Sequence, residues 1–241
     1  MFNKRIIITL CVLVFLILST LSIAVPPLPF TAYYDARFQG LKAQAEISLT
    51  QLTHNEFLAN SSISIRVFGV TISTIRENSY FEWYNDIPRP YYYEYLQSGI
   101  GGRNHSVHFD WQNNLAIATA QEESVELQLE NSTLDELSMY ALIKKELLKG
   151  AGEIKFAVID RNIIKEYHYR IIAEEEVLTT SGTFSAIKVE RIRESSDRIT
   201  QLWFAKNHDM LLIKLYQRAP DGDEFEITLR NAQINGEIVT P

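Results

Sequence analysis

After Pro29 the apolar positions of the chain recur mostly at every second residue. Leu41, Ala43, Ala45, Ile47 and Leu49 alternate with Lys42, Gln44, Glu46 and Ser48, which is the pattern of a strand with one face buried and the other in water. The same period returns in Ile63/Ile65/Val67, Val125/Leu127/Leu129, Tyr167/Tyr169/Ile171, Leu211/Ile213/Leu215 and Phe225/Ile227/Leu229. Turn-forming residues separate the runs, at Gln39-Gly40, Gln112-Asn113-Asn114, Ser181-Gly182, Asn207-His208-Asp209 and Pro220-Asp221-Gly222. Short links between alternating strands predict hairpins and an antiparallel meander. At Thr180-Ser181-Gly182-Thr183 the turn needs a residue that tolerates positive φ, which gives Gly182 a structural role.

One segment changes period. From Leu134 to Lys149, Leu137, Tyr140, Ala141, Leu147 and Leu148 share one helical face, which Lys144 interrupts. Thr133 with Glu136 three residues on fits a capping box, and Gly150 fits a left-handed stop. The spacing predicts a helix over 134–149, about 24 Å long at 1.5 Å per residue. That length suits a helix lying across a bent sheet. No proline- or glycine-rich linker divides the strand-rich part 28–130 from the second one, 153–236. The expected fold is therefore mainly β: one domain over 28–238, a curved antiparallel sheet (a half-barrel-like meander) with one long helix against its concave face, two independent domains being the alternative.

Between Asn78 and Gly102 the pattern is aromatic and broken by Pro88 and Pro90, each of which removes a ladder donor. An irregular loop is expected there, not a central strand. Its rings either plug an open end of the sheet or form a rim over an apolar cavity. Under the second reading the ligand-binding candidates are Tyr80, Trp83, Tyr84, Arg89, Tyr91 and Tyr93. Arg89 could offer its guanidinium to a carboxylate or phosphate, or stack on a neighbouring tyrosine.

The first residues read differently. Lys4 and Arg5 precede the apolar run Ile6 to Leu18, and small residues follow up to Ser22-Ile23-Ala24. This is the order of a secretory signal peptide, 1–24, with a cut after Ala24. Uncleaved, Ile6 to Val25 could just span a bilayer as an anchor. Both readings place the rest outside the cytosol, in the periplasm or otherwise exported, with membrane attachment only through this segment. Cys11 is the one cysteine and lies inside the run, so the remainder holds no thiol, no disulfide and no cysteine chemistry. Removing Lys4 and Arg5 leaves 21 basic residues of 23 against 30 acidic ones. That surface repels phosphate backbones and no basic cluster along the sequence offsets it, so nucleic acid is not an expected partner.

Candidate chemistry is sparse. In His105-Ser106-Val107-His108-Phe109-Asp110 a strand points His105 and His108 to opposite faces and leaves His108 with Asp110. Two ligands are too few for zinc, so neither metal nor cofactor is expected. Glu174-Glu175-Glu176 reads as a solvated turn, and Trp203 as core. His54, His168 and His208 stand alone. No nucleophile elbow, phosphate loop or dinucleotide fingerprint occurs, so no catalytic residue is assigned and the chain reads as non-enzymatic.

The stretch Ile164-Lys165-Glu166-Tyr167-His168-Tyr169-Arg170, then Thr179 to Val189, then Trp203-Phe204-Ala205 and Leu211 to Lys214, resembles the domain of unknown function 3108 family of exported bacterial proteins. Phe30 to Asp35, followed by Gly40-Leu41, is similar to that family's beginning. The resemblance covers roughly 28–238 and rests on strand-and-turn patterns. It supplies no catalytic residues, and it implies an architecture similar to the curved half-barrels around a helix of periplasmic lipoprotein carriers. The expected function is binding or carriage of a lipid or other hydrophobic envelope ligand. A scaffold that binds an envelope protein through a strand edge is the alternative. An envelope hydrolase is the second alternative; it would need a deep cleft with two converging carboxylates, or a histidine paired with a nucleophile.

Overall fold

In a computed structural model, which describes residues 26–194 and 196–241, the alternating runs form one sheet of sixteen strands. The expected signal segment, 1–24, lies outside the described residues. Eight strands come first: β1 (Phe30–Phe38), β2 (Leu41–Gln51), β3 (Glu56–Val67), β4 (Val70–Tyr84), β5 (Ile87–Gly99), β6 (Arg103–Asp110), β7 (Leu115–Ala120) and β8 (Glu123–Gln128). A two-residue strand, β9 (Thr133–Leu134), leads into helix α1 (Met139–Leu148). Then follow β10 (Glu153–Asp160), β11 (Ile163–Thr179), β12 (Gly182–Ile192), β13 (Ile199–Ala205), β14 (Leu211–Arg218), β15 (Glu224–Ile234) and β16 (Glu237–Ile238). Each half is a meander of neighbouring hairpins, and the halves join where β1 pairs β15 antiparallel. Among the described residues all pairing is antiparallel except β9 with β10.

The order runs from β8 at one edge to β9 at the other, yet these two strands are consecutive in the chain. Five residue steps from Gln128 to Thr133 can span at most about 18 Å, so the sheet bends until its edges nearly meet while staying open. Turns therefore gather at two ends. One end holds the β1–β2, β3–β4, β5–β6 and β7–β8 turns; the other holds the β2–β3, β4–β5 and β6–β7 turns.

The inward positions of β1 to β3 include Ala32, Ala36, Ala43, Ala45 and Ala59, all buried. Met139, Leu142, Ile143 and Leu147 join one apolar cluster with β1, β2 and β10 to β15. Leu137, with Tyr140 and Ala141 beside it, belongs to a second cluster with β3 to β7. Lys145 and Lys149 pair with Asp86 in the β4–β5 turn, and Lys144 pairs with Asp209 in the β13–β14 turn. The helix thus ties together turns from both halves.

Two expectations need correction. The helix has 10 residues, about 15 Å, not the 16 of 134–149. Thr133 is taken by β9, and its hydroxyl accepts the Glu130 amide at 3.0 Å. The reciprocal box forms two residues later: Asp135 Oδ1 accepts the Ser138 amide at 2.7 Å, and Ser138 Oγ accepts the Asp135 amide at 3.2 Å. Leu148, read as part of the apolar face, is 53% exposed. The left-handed stop stands: Gly150 has φ +80°, its amide bonds Leu147 O, and the Ala151 amide bonds Glu146 O, which is a Schellman motif. Gly150→Ala meets no neighbouring atom. It is expected to cost about 1 kcal/mol in urea unfolding, from backbone strain alone.

The aromatic segment is not a loop. It is the β4–β5 hairpin, and β5 lies inside the sheet between β4 and β6. The prolines fit because β6 pairs β5 only from Tyr92↔His108 onward, so one side of Pro88 and Pro90 carries no ladder. Trp111 Nε1 donates to Pro90 O at 2.6 Å on that side. A bulge at Tyr91, where pairing passes from Tyr80↔Tyr92 to Phe81↔Pro90, turns Pro88, Pro90, Tyr93 and Tyr95 all inward. Glu174 to Glu176 are likewise strand, in β11, although exposed as expected. Trp203 is core, its Nε1 donating to Glu175 Oε1 at 2.6 Å.

Candidate functional site

A cavity of about 60 Å³ lies between α1 and the sheet, near the end of the molecule where β1 begins. Leu137, in the turn that leads into α1, and Tyr140, Ala141 and Lys144 of α1 form one wall. These are positions i, i+3, i+4 and i+7, one stripe of a helix. The opposite wall comes from Phe30 and Tyr34 of β1, Ile47 and Leu49 of β2, Ala59 and Phe81, and Phe204 with Leu211 across the β13–β14 turn. Tyr34 is fully buried and donates to Leu212 O at 2.8 Å, so its hydroxyl adds no free polar group; burial pushes its pKa far up. Lys144 is the one charged lining residue. Burial lowers its pKa while Asp209, its ion-pair partner, holds it up. The wall is apolar with one neutralised pair.

A polar cluster lies deeper, where the chain enters α1. On β4 the inward set is Ile75, Glu77, Ser79, Phe81 and Trp83, so a carboxylate stands on a mostly apolar face. Tyr93 donates to Glu77 Oε2 at 2.8 Å, and Ser79 donates to Asp135 Oδ2 at 2.6 Å. His105 Nε2 is 3.8 Å from Glu136 Oε2. Burial, then repulsion from Glu136, pushes Glu77 up to about 7, against the bond from Tyr93. Burial also raises Asp135 despite its three donors, and it raises Tyr93 well above the usual tyrosine range. Three carboxylates converge here, but Glu77, Asp135 and Glu136 line neither the apolar cavity nor the second hollow. That hollow is an open, mixed groove of about 190 Å³ beside Tyr92, Glu94, Asn104 and His105. Sequence spacing gives Glu136 only a place in a capping box and does not single out Glu77 or Asp135. For Glu77 the signal is the parity it shares with Ser79, Phe81 and Trp83 on β4.

The six ligand-binding candidates separate by strand parity, and none lines the apolar cavity. Trp83 and Tyr93 are buried in the core; Tyr80 packs outward against Tyr91 and Tyr92. Tyr84 and Tyr91 are exposed. Arg89 stacks on Tyr84 at 4.5 Å and Trp111 at 4.9 Å and pairs with Glu82 at 3.3 Å, which is the stacking alternative. From the same hairpin Phe81 reaches the cavity instead. His105 is buried and His108 exposed, on opposite faces. Among the described residues no group of three or more His, Cys, Asp or Glu is placed to hold a metal, and no helix is long and apolar enough to cross a membrane.

A family model described as protein of unknown function (DUF3108) matches residues 30–230. No curated protein matches. Among solved structures, the chain is similar to the crystal structure of a beta-barrel-like protein of domain of unknown function DUF1849 from Brucella abortus. That likeness has a TM-score of 0.58 at 7% identity and covers 87% of this chain and 99% of the other. At that identity the likeness is one of fold.

Proposed function

Because the chain belongs to the DUF3108 family, whose name assigns no chemistry, we propose a function from the cavity itself: an exported, non-catalytic binding protein that takes the end of an apolar chain of an envelope amphiphile between α1 and the sheet. The carrying observation is the apolar wall built from one stripe of α1 and the inward faces of β1 and β2. Size limits the reading. Pockets that enclose a whole ligand run to about 300–1,000 Å³, whereas this one is about 60 Å³. It admits a chain terminus, and taking in a whole lipid requires α1 to move. The Lys144–Asp209 pair is already neutral, so selection falls on the apolar chain rather than on an anionic head.

Titrating the purified full chain with a fluorescent polyene fatty acid tests this. Saturable enhancement is expected, weakened at least about 10-fold in Ala141→Trp, whose indole occupies the space. Binding that is unsaturable, or equal in the two proteins while both keep the same circular dichroism, ends the reading. A scaffold role is the second reading, favoured by β8, which pairs only β7 and is almost wholly exposed. Glu123 and Glu126 on that edge oppose casual strand addition, so a protein partner there would bring basic side chains. Crosslinking from position 126 in cells distinguishes it.

A further inference from the structure

The end of the sheet away from the cavity carries a different surface. Its β1–β2, β3–β4 and β5–β6 hairpins are neighbours, so their tips span about 19 Å, four strand spacings. Phe68 at the β3–β4 tip is 103% exposed, Ile100 at the β5–β6 tip 69% and Val70 65%; Phe38, Leu41 and Leu96 are exposed beside them. The charged residues of 36–43, 64–75 and 95–104 are Arg37, Lys42, Arg66 and Arg103, all basic, with no acid among them. All four are exposed, and none makes an ion pair among the described residues. In the sequence these cations are scattered through 67 positions of an acidic chain; the register brings them to one rim. The β7–β8 turn with Glu122 and Glu123 bounds the rim on one side, and the β14–β15 turn with Asp221 and Asp223 on the other.

We propose that these three tips dock on an anionic lipid surface, with Phe68, Val70 and Ile100 entering the interface and Arg37, Lys42, Arg66 and Arg103 lying at headgroup level. Exposed apolar side chains rimmed by polar ones mark interaction sites. Here they project from turns rather than form a groove, which suits a fluid surface. These cations complement anionic headgroups; Arg103 is steadied by the Tyr95 hydroxyl, to which it donates at 3.2 Å, and the flanking acids restrict contact to the three tips. The proposal is independent of the cavity, which lies at the opposite end.

The test holds the full chain, with Cys11→Ser, in nanodiscs of neutral lipid and places a fluorophore at Val70→Cys. Vesicles carrying a lipid-borne quencher are then added. Only docking from outside the disc brings the quencher to the probe. Saturable quenching is expected with vesicles containing phosphatidylglycerol and is lost with phosphatidylcholine alone or in about 0.5 M salt. Phe68→Ser raises the half-saturating lipid concentration roughly 10-fold, and combined Arg37→Gln, Lys42→Gln and Arg66→Gln raises it roughly 100-fold. A probe at Asn113→Cys, at the other end, stays unquenched. Equal quenching at both sites, or none at position 70, overturns the proposal; the second result leaves a protein as the occupant.

Discussion

Asp135→Ala is expected to lower the free energy of unfolding by roughly 3–5 kcal/mol and to loosen the first turn leading into α1. The carboxylate is fully buried. Its Oδ1 accepts the Leu137 amide at 2.8 Å and the Ser138 amide at 2.7 Å, and its Oδ2 accepts the Ser79 hydroxyl at 2.6 Å. Removing it strands three donors, each worth about 1–3 kcal/mol when left unpaired. The recovered cost of burying Asp135 itself keeps the total below their sum. Ser79 belongs to β4, whereas Asp135 directly follows the opposite edge strand β9. The bond therefore ties the first meander directly to the segment that leads into α1. Asp135→Asn keeps an acceptor for both amides and is expected to cost about 1 kcal/mol. Urea unfolding measures the difference, and hydrogen exchange at the Leu137 to Ala141 amides locates it. An alanine variant within 1 kcal/mol of the parent in that titration would show that Asp135 does not cap the helix.

That capping residue illustrates what the sequence discloses and what it hides. Thr133-x-x-Glu136 and Asp135-x-x-Ser138 both have the spacing of a reciprocal cap. Choosing between them requires knowing that Thr133 pairs with Ala157, a contact made only in the folded sheet. The strands at 41–49, 211–215 and 225–229, their turns and the Gly150 stop were legible because each depends on local period or local backbone geometry. So was half of the cavity: Leu137, Tyr140, Ala141 and Lys144 stand together on the helical face read from spacing alone. The opposite wall was not, since Tyr34, Leu49, Phe81 and Phe204 meet only through pairing between distant strands. The β4–β5 hairpin is hidden in the sequence for a similar reason. Whether proline is tolerated depends on where pairing with the neighbouring strand ends, and β6 pairs β5 no further than Tyr92, short of Pro90. Likewise Arg37, Lys42, Arg66 and Arg103 form no run in one dimension, and only the register makes them a patch.

Glu77 carries the second large prediction, a loss of stability as pH rises. Its carboxyl sits on the inward face of β4 facing Tyr93, Ser61, Asp135 and Glu136, and no cation among the described residues pairs with it. Burial and the two neighbouring carboxylates raise it from 4.5 to about 7. The native state therefore keeps a proton that the unfolded chain gives up between pH 4.5 and 7. In that window the folded protein binds more protons, so its stability falls with pH; it is flat above the native value. At 1.36 kcal/mol per unit the fall is at most about 3 kcal/mol, less the share that water screens at this partly buried site. Asp135, also raised, adds to the same direction, while Glu153 and Asp110, lowered by exposed partners, act in the opposite sense only below the ordinary carboxylate values and so beneath this window. Urea midpoints at pH 5, 6, 7 and 8 are expected to drop and then level. Glu77→Gln, which cannot ionise, flattens the profile and leaves the variant more stable than the parent at pH 8. Tyr93→Phe removes the donor that favours the charged form, so the fall persists to higher pH. A parent whose midpoint rises between pH 5 and 7 would mean that Glu77 is charged in the native state, and that the polar cluster beneath α1 is open to water.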